Sequence, residues 1–511
     1  NFPGDHPEAN RHKELDMVTG ACLLIKKDLF FECGSFDEQY INGVEDIDLC
    51  LKVRMNGYKV IYNPKSILYH YEGKTPGRYN YVKENLEIFF TRWKKYFDDE
   101  GRLICKAEDQ KLLIRWEGSQ FVNHSLALVN RELCIELAKT NDIELSLIPY
   151  EPDEFDAEED PERFGLIAER LNSSLPAAAD FHVRHQWPPN FTPPTEGHWI
   201  MIQPWEFGAL PKDWVEPMQE LVDELWVPSQ HVRDVYVNSG ISPDKVFVVP
   251  NGVNYTRFHP QAPRMNLVTQ KHFKFLFVGG TIMRKGIDVL LSAYTQAFTS
   301  QDDVCLVIKD MGEESFYKGQ NASQIIEEIK MNPTSPEILY ITESFNQKDM
   351  AGLYTACDCL VHPYRGEGFG LPVAEAMACG LPVIVTRGGA CDDFCSEENA
   401  FLLNATVKAV HLNNCELSAP GWLLEPDKSE LIEILRFVHQ NPDRAREKGT
   451  LAARQIKKKV DWKMSKDLIV DRLRALKDKP IRRFAGSAHE HSGKDLKSPE
   501  EIYQNIQQSM E

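Results

Sequence analysis

From Lys111 to about Lys477 the chain alternates short apolar runs with longer helix-like stretches, and this alternation limits the fold more than any other feature. The runs are LLIRW, ELSLIPY, FHVRH, HWIMIQPW, LWVPS and KVFVVPNGV. After a Pro-containing stretch from Asn251 to Thr269 come FKFLFVGG, VCLVIKD, ILYITE, CLVHPY and LPVIVT. Strands buried on both faces of a parallel sheet read as apolar runs of this kind. Parallel neighbours need a crossover, and the intervening segments (Ser125 to Ala138 is one) are patterned as helices to fill it. Two consecutive sets predict two doubly wound α/β units. Ligands of open α/β sheets sit beyond the carboxyl ends of the strands. Functional residues should therefore follow the apolar runs directly.

The bulk properties fit a folded multidomain protein. At 511 residues the chain exceeds one ordinary core, and 42% hydrophobic with 26% charged residues is a globular composition. Lys and Arg number 58 against 77 Asp and Glu, a net charge of −19. That balance argues against a general nucleic-acid binder, which needs clustered cations. Twelve cysteines without CxxC pairs read as buried thiols of a reducing cytoplasm. No apolar run approaches the ~18 residues of a membrane span. Four regions separate by pattern: 1–104, 105–255, 256–477 and a polar tail, 478–511. In the first, strands are expected over Met17 to Ile25 and in KVIYNP, with a helical end from Glu84 to Phe97. The charged stretch Asp98 to Gln110 reads as a linker. The chain opens in mid-pattern at Asn1, as a piece of a longer polypeptide would.

Two elements of the second α/β unit carry chemistry. After CLVHPY, the turn Arg365-Gly366-Glu367-Gly368-Phe369-Gly370 leads into the helix LPVAEAMACG. Glycines there admit close approach of a ligand, and a helix start offers free N–H groups to an anion. Glu367 and Glu375, with seven residues between them, can aim two carboxylates at one ligand. After FKFLFVGG, Arg284 and Lys285 precede Gly286 at the end of the unit's first strand, where two cations can neutralise a diphosphate. Taken singly, these elements would read as an exposed connection and as surface charge. Together they face one cleft.

The segment from Phe273 to about Leu476 resembles the C-terminal half of retaining glycosyltransferases of family four, which have the GT-B fold. Including the passage WVPSQHVRDVYVNSGISPDKVFVVPNGVN, the likeness spans roughly 360 residues. The family's paired glutamates match Glu367 and Glu375, and its Lys-Gly matches Lys285-Gly286. Where the family has Gly-Arg, this chain has Gly279-Gly280, so Arg284 is expected to supply the missing charge. The resemblance implies that Arg284 and Lys285, beside Gly280, hold the donor diphosphate. Glu367 would touch the donor sugar and Glu375 the ribose. Gly368, Phe369, Gly370 and Leu371 would lend backbone N–H groups. On the acceptor side the loop from Gly118 and Ser119 to Ser125 would cover the acceptor and phosphate. A family histidine that positions the reacting sugar corresponds to His185 or, on comparable ground, to the Trp205-Glu206 pair. Trp187, Trp205 and Trp214 are each as compatible with core packing as with stacking on sugars. The catalytic set is then Glu367, His185, Arg284 and Lys285, without a metal.

The first hundred residues resemble something else: the acceptor-side half of inverting, GT-A-fold glycosyltransferases of family two. There Asp46, next to Glu45, would be the general base that inversion requires, and His70 would join a metal site. The nucleotide-binding strands and the Asp-x-Asp of that family would precede residue 1, so a divalent metal belongs only with that half, and the domain as it stands should not turn over. These resemblances imply a UDP- or GDP-sugar as donor and a glycan or lipid-linked hydroxyl as acceptor. Two transferases in one chain point to surface glycan synthesis in the cytoplasm, at the inner face of the plasma membrane, with peripheral membrane association. A sugar-nucleotide epimerase or a phosphorylase of the same fold is a rival reading. The extra acid–base residues of the one and the pyridoxal lysine of the other are not evident. A non-catalytic sugar-binding scaffold is a third, opposed by the intact glutamate and cation sets.

Overall fold

The computed structural model describes residues 7–37, 39–41, 43–55, 58–68, 80–97, 111–310, 322–345, 347–411, 415–477 and 479–485. The chain divides into two compact units, Asn1–Leu112 and Leu113–Glu511. His70, the expected linker 98–110 and most of the polar tail lie outside the described residues.

In the first unit, β1 (Lys13–Glu14) pairs antiparallel with β2 (Ile61–Tyr62). The helix Glu45–Met55 opens on Glu45, Asp46 and Asp48, acids that suit the positive end of a helix dipole. Its Leu49, Cys50 and Val53 form a small core with Cys33 and Val60. Asp48 is fully buried and structural: Arg92 and Lys52 each approach it to 2.7 Å, and Trp93 Nε1 donates to it at 2.8 Å. The strand expected over Met17 to Ile25 does not form. Side chains hold its donors instead, since Thr19 caps a 3-10 turn at Gly20–Cys22 and Gly20 N–H donates to Asp46 Oδ2 at 2.6 Å. A backbone engaged in this way has no ladder to join.

The second unit contains two six-stranded sheets. The first is built from β3 (Leu112–Glu117), β4 (Ile143–Ile148), β5 (Phe181–Arg184), β6 (His198–Ile202), β7 (Glu224–Val227) and β8 (Val246–Val248), ordered β4-β3-β5-β6-β7-β8. The second contains β9 (Phe273–Val278), β10 (Val304–Lys309), β11 (Glu337–Ile341), β12 (Cys359–His362), β13 (Val383–Thr386) and β14 (Phe401–Leu403). Its order is β11-β10-β9-β12-β13-β14, all parallel. Every predicted apolar run from LLIRW onward falls on one of these strands. Strands such as β10, β12 and β13 are buried along their whole length between two apolar clusters, one on each face of the sheet. That double burial is why they read as unbroken apolar runs.

Two features join the sheets. The helix Trp462–Lys477 crosses back to the first: Arg472 pairs with Glu224 and lies 3.5 Å over the Phe247 ring, and Arg474 pairs with Asp142. A hairpin of β15 (Ala405–Ala409) and β16 (Trp422–Pro426) reaches across as well. Gly208 N–H donates to Trp422 O and Lys212 N–H to Glu416 O, while Val410 and Leu423 enter the apolar cluster of Trp199 and Trp214. No disulfide joins the described cysteines, and all but Cys22 and Cys415 are buried. No helix among the described residues is long and apolar enough to cross a membrane.

Candidate active site

Strand order reverses between β9 and β12 in the second sheet and between β3 and β5 in the first. Connections leave such a point in opposite directions, so a crevice opens at the carboxyl ends of the two strands. The two crevices face each other across one cavity of about 370 Å³. Its walls bring together most of the residues singled out from sequence: Gly280, Arg284, Lys285, Glu367, Gly368, Phe369, Gly370, Leu371 and Glu375 from one side, His185 and Glu206 from the other.

After β9 the chain makes a 3-10 turn, Met283–Lys285, that ends on Gly286 at φ 75°. A Cβ at Gly286 would lie 1.9 Å from Pro363 O, so this turn and the segment after β12 touch only because position 286 is glycine. Lys285 Nζ then lies 2.6 Å from Glu367 Oε1, and His362 Nε2 lies 2.9 Å from the same oxygen. His362 is fully buried, and because an ionised carboxylate can only accept, its contact with Glu367 assigns the proton to Nε2. Burial alone would raise the Glu367 carboxyl. The charge of Lys285, the His362 hydrogen bond and Arg284 outweigh it and hold Glu367 well below the usual carboxylate range. No described residue donates to Glu367 Oε2, which is left for the cleft. Arg284, also buried, donates to Gly366 O at 2.7 Å and approaches Glu206 Oε1 to 3.4 Å, bridging the two walls.

Beyond Glu367, Gly370 at φ 90° starts the helix Leu371–Ala378 with no side-chain cap, and Pro372 fits its first turn. The uncapped helix start is a site for negative charge. Glu375, one turn in, accepts from Tyr354 OH at 2.9 Å, and burial pushes its carboxyl up to about 7 against that hydrogen bond.

On the opposite wall Asn130 is the organiser. Its Oδ1 accepts from Trp116 Nε1 at 2.9 Å and from His185 Nδ1 at 2.8 Å. Its Nδ2 donates to Ser119 O and His185 O, each at 3.1 Å. His185 is therefore fixed with Nδ1 protonated and Nε2 left as an acceptor. Burial, with His124 nearby, pushes its pKa down to about 3, so it stays neutral. Gly118 and Ser119 lie beneath the cleft instead of lining it. A Cβ on Gly118 would meet His185 O at 2.4 Å, and Ser119 Oγ bonds to Glu151. The lining part of their loop is Val122 to Ser125. Trp205 does not line the cleft either: it is buried against Trp214 at 4.9 Å and donates to Ala209 O, so only Glu206 of that pair faces inward. Trp214 is likewise core.

Sequence reasoning missed Asn130, His362, Tyr354 and the Lys309-Asp310 pair that ends β10 in the cleft wall. A signal existed for His362, a polar residue in the otherwise apolar run CLVHPY, but not for Asn130, which is followed by Arg131 and Glu132. In the first unit Asp46 accepts from Gly20 and Ile47 N–H groups, Glu45 begins the helix, and His70 lies outside the described residues.

Comparison with known proteins bears on the fold that carries these residues. Residues 260–413 match the family model described as glycosyl transferases group 1. A D-inositol 3-phosphate glycosyltransferase of Pseudarthrobacter chlorophenolicus is 29% identical over 165 residues, 32% of this chain and 38% of that protein. This chain thus matches about two fifths of that relative's length. Sucrose-phosphate synthase of Thermosynechococcus elongatus superposes with a TM-score of 0.52 at 17% identity, covering 71% of this chain and 99% of that one. Anabaena HepE in complex with UDP-glucose superposes with a TM-score of 0.50 at 15% identity, covering 71% and 100%. The two facing sheets are a GT-B fold, and residues 260–413, which match the group 1 model, include all six strands of the second sheet.

Proposed function

We propose that the second unit is a retaining glycosyltransferase. It takes a sugar from a UDP- or GDP-linked donor and transfers it to a hydroxyl of a glycan or lipid-linked acceptor. The observation that carries this reading is the Lys285–Glu367 contact at the switch point, beside the uncapped start of the Leu371–Ala378 helix. A cation and a helix start suit a diphosphate. A carboxylate with one oxygen turned to the cleft suits the hydroxyls of a sugar. In this reading Arg284 and Lys285 take the leaving diphosphate, Glu367 Oε2 orients the sugar and Glu375 accepts from the ribose. His185 Nε2 accepts a hydroxyl hydrogen from the sugar or acceptor. Glu367 already receives Lys285 and His362 on one oxygen, so it is poorly suited to attack carbon. A front-face displacement, in which the acceptor hydroxyl protonates the departing phosphate, suits these groups better.

The match to the group 1 model and the UDP-glucose held by a neighbour of the same fold support the donor class. We further read the first unit as the acceptor-side half of a family-two enzyme, with Asp46 as its base, and place the chain in surface glycan synthesis at the cytoplasmic membrane face. The test of the main reading is thermal protection by a panel of UDP-, GDP- and TDP-sugars, followed by the anomeric configuration of the product. A ligand at 100 times its Kd adds about 2.7 kcal/mol of stability. Failure of the whole panel to raise the unfolding temperature would refute a donor site here.

A further inference from the structure

Arg365 is buried at 8% exposure and is not among the residues that line the cleft. An arginine side chain has five N–H donors, and all five are engaged. Nε donates to Glu425 Oε2 at 2.9 Å. One terminal nitrogen donates to Met283 O at 2.6 Å and Asp288 Oδ1 at 2.7 Å, the other to Asp288 Oδ2 at 2.8 Å and Glu425 Oε1 at 2.9 Å. Nothing remains for a ligand, so any role in transfer is indirect.

The partners are what give the residue its meaning. Met283 immediately precedes Arg284 and Lys285, and Asp288 follows them in the first turn of the next helix. The fork thus grips the cationic turn from both ends. The backbone of Arg365 is tied to the same places: its N–H donates to Arg284 O at 2.7 Å, and its carbonyl accepts from Leu424 N–H at 2.9 Å. Two residues further on stands Glu367. Glu425 lies on β16, whose Trp422 O accepts from Gly208 on the opposite wall. One side chain therefore holds three things in register: the Lys285 turn, the Glu367 loop and the hairpin that crosses between the sheets.

We propose that Arg365 is a positioning residue for the diphosphate end of the donor site, fixing the separation of Lys285 from Glu367 without touching the donor. This rests on the donor-site reading above. A lysine would keep the charge, but it has three donors and no planar fork, so it cannot satisfy two bidentate carboxylates and a carbonyl together. The nucleoside end of the donor would not feel the loss, because no contact of Arg365 reaches it.

The test uses the full chain with Arg365→Lys and, as a milder change, Glu425→Gln. Binding of UDP, GDP, uridine and guanosine is measured by titration calorimetry, with circular dichroism to confirm folding. For whichever diphosphate binds the wild type, R365K should bind about tenfold more weakly, with its nucleoside changed by less than about twofold. E425Q should fall between R365K and wild type. Equal losses for nucleoside and diphosphate would mean general damage to the fold, and unchanged diphosphate binding in R365K would mean no positioning role; either result overturns the proposal. If R365K does not fold, E425Q decides on the same criterion. Should the wild type bind neither UDP nor GDP, the donor-site reading itself fails and this proposal falls with it, an outcome distinct from the other two.

Discussion

Lys285 Nζ and Glu367 Oε1 meet at 2.6 Å across 82 positions of sequence. The contact follows from topology: β9 and β12 are neighbours where the strand order reverses, so the turns that leave them share one crevice. Both side chains are nearly buried, at 12% and 9% side-chain exposure, and His362 completes the group. A buried pair of this kind contributes little net stability, but it is costly to break from one side.

Lys285→Ala should therefore have two separable effects. Glu367 keeps only His362 and Arg284 nearby, and the ligand-free protein should lose about 3 kcal/mol of stability in urea unfolding. Affinity for UDP or GDP should fall by about tenfold or more, while the nucleoside is little affected, since only the diphosphate presents charge to the missing cation. Lower stability with undiminished diphosphate affinity would make Lys285 a structural residue only.

His185→Ala addresses the opposite wall. The imidazole is held by Asn130, neutral, with Nε2 toward the cleft. Its loss should lower the transfer rate by about tenfold or more, while UDP or GDP affinity measured without acceptor stays close to wild type. A pKa pushed down to about 3 also means that no step in the wild-type rate profile between pH 5 and 8 should disappear in the variant. An equal loss of nucleotide affinity would move His185 to the donor side.

The two sheets were legible because their strands are buried on both faces, and such strands show as apolar runs whatever their order. The wall that carries Lys285 and Glu367 was legible because a glycine turn, two glutamates and two cations fall directly after such runs. Contacts made across the fold were not legible. The β15–β16 hairpin escaped notice because β15 is largely exposed and carries no apolar face to mark it. Met17 to Ile25 looked like a strand, but the Thr19 hydroxyl and the Asp46 carboxylate claim its neighbourhood. Trp205 and Glu206 are adjacent in sequence and point to opposite environments, which a residue list does not reveal. Arg284 was singled out for its charge, but its position in sequence gave no sign that its guanidinium reaches both walls.

Gly286→Ala tests whether close approach of the two turns is what builds the site. At φ 75° an alanine is strained, and its Cβ would sit 1.9 Å from the Pro363 carbonyl oxygen, a backbone atom that cannot step aside. The expected cost is at least about 2 kcal/mol in thermal or denaturant unfolding. Because the shift pushes Lys285 away from Glu367, diphosphate affinity should drop as well. An alanine variant as stable as wild type would show that the turn relaxes freely and that the approach is not required.

Glu375 supplies the last prediction, because its proton reports on packing and on ligand binding separately. Burial raises its carboxyl from 4.5 to about 7. Between those values the folded protein holds the proton more tightly than the unfolded chain does. Stability from this group therefore falls as pH rises through the window, then levels off above about 7. Glu375→Gln keeps the shape and an oxygen for Tyr354 OH but does not titrate. The variant and wild type should be closely matched near pH 4.5, and at pH 8 the variant should be the more stable, by up to about 3 kcal/mol. Binding should run the other way. In the proposed ribose role, an ionised carboxylate accepts hydroxyl hydrogens more strongly than an amide, a difference of roughly 1–3 kcal/mol. Wild-type affinity for UDP or GDP should thus gain on that of the variant between pH 6 and 8, a comparison in which the titration of the phosphates themselves cancels. Parallel stability curves would show that the Glu375 proton is not raised, and equal nucleotide affinity at pH 8 would remove Glu375 from the ribose site.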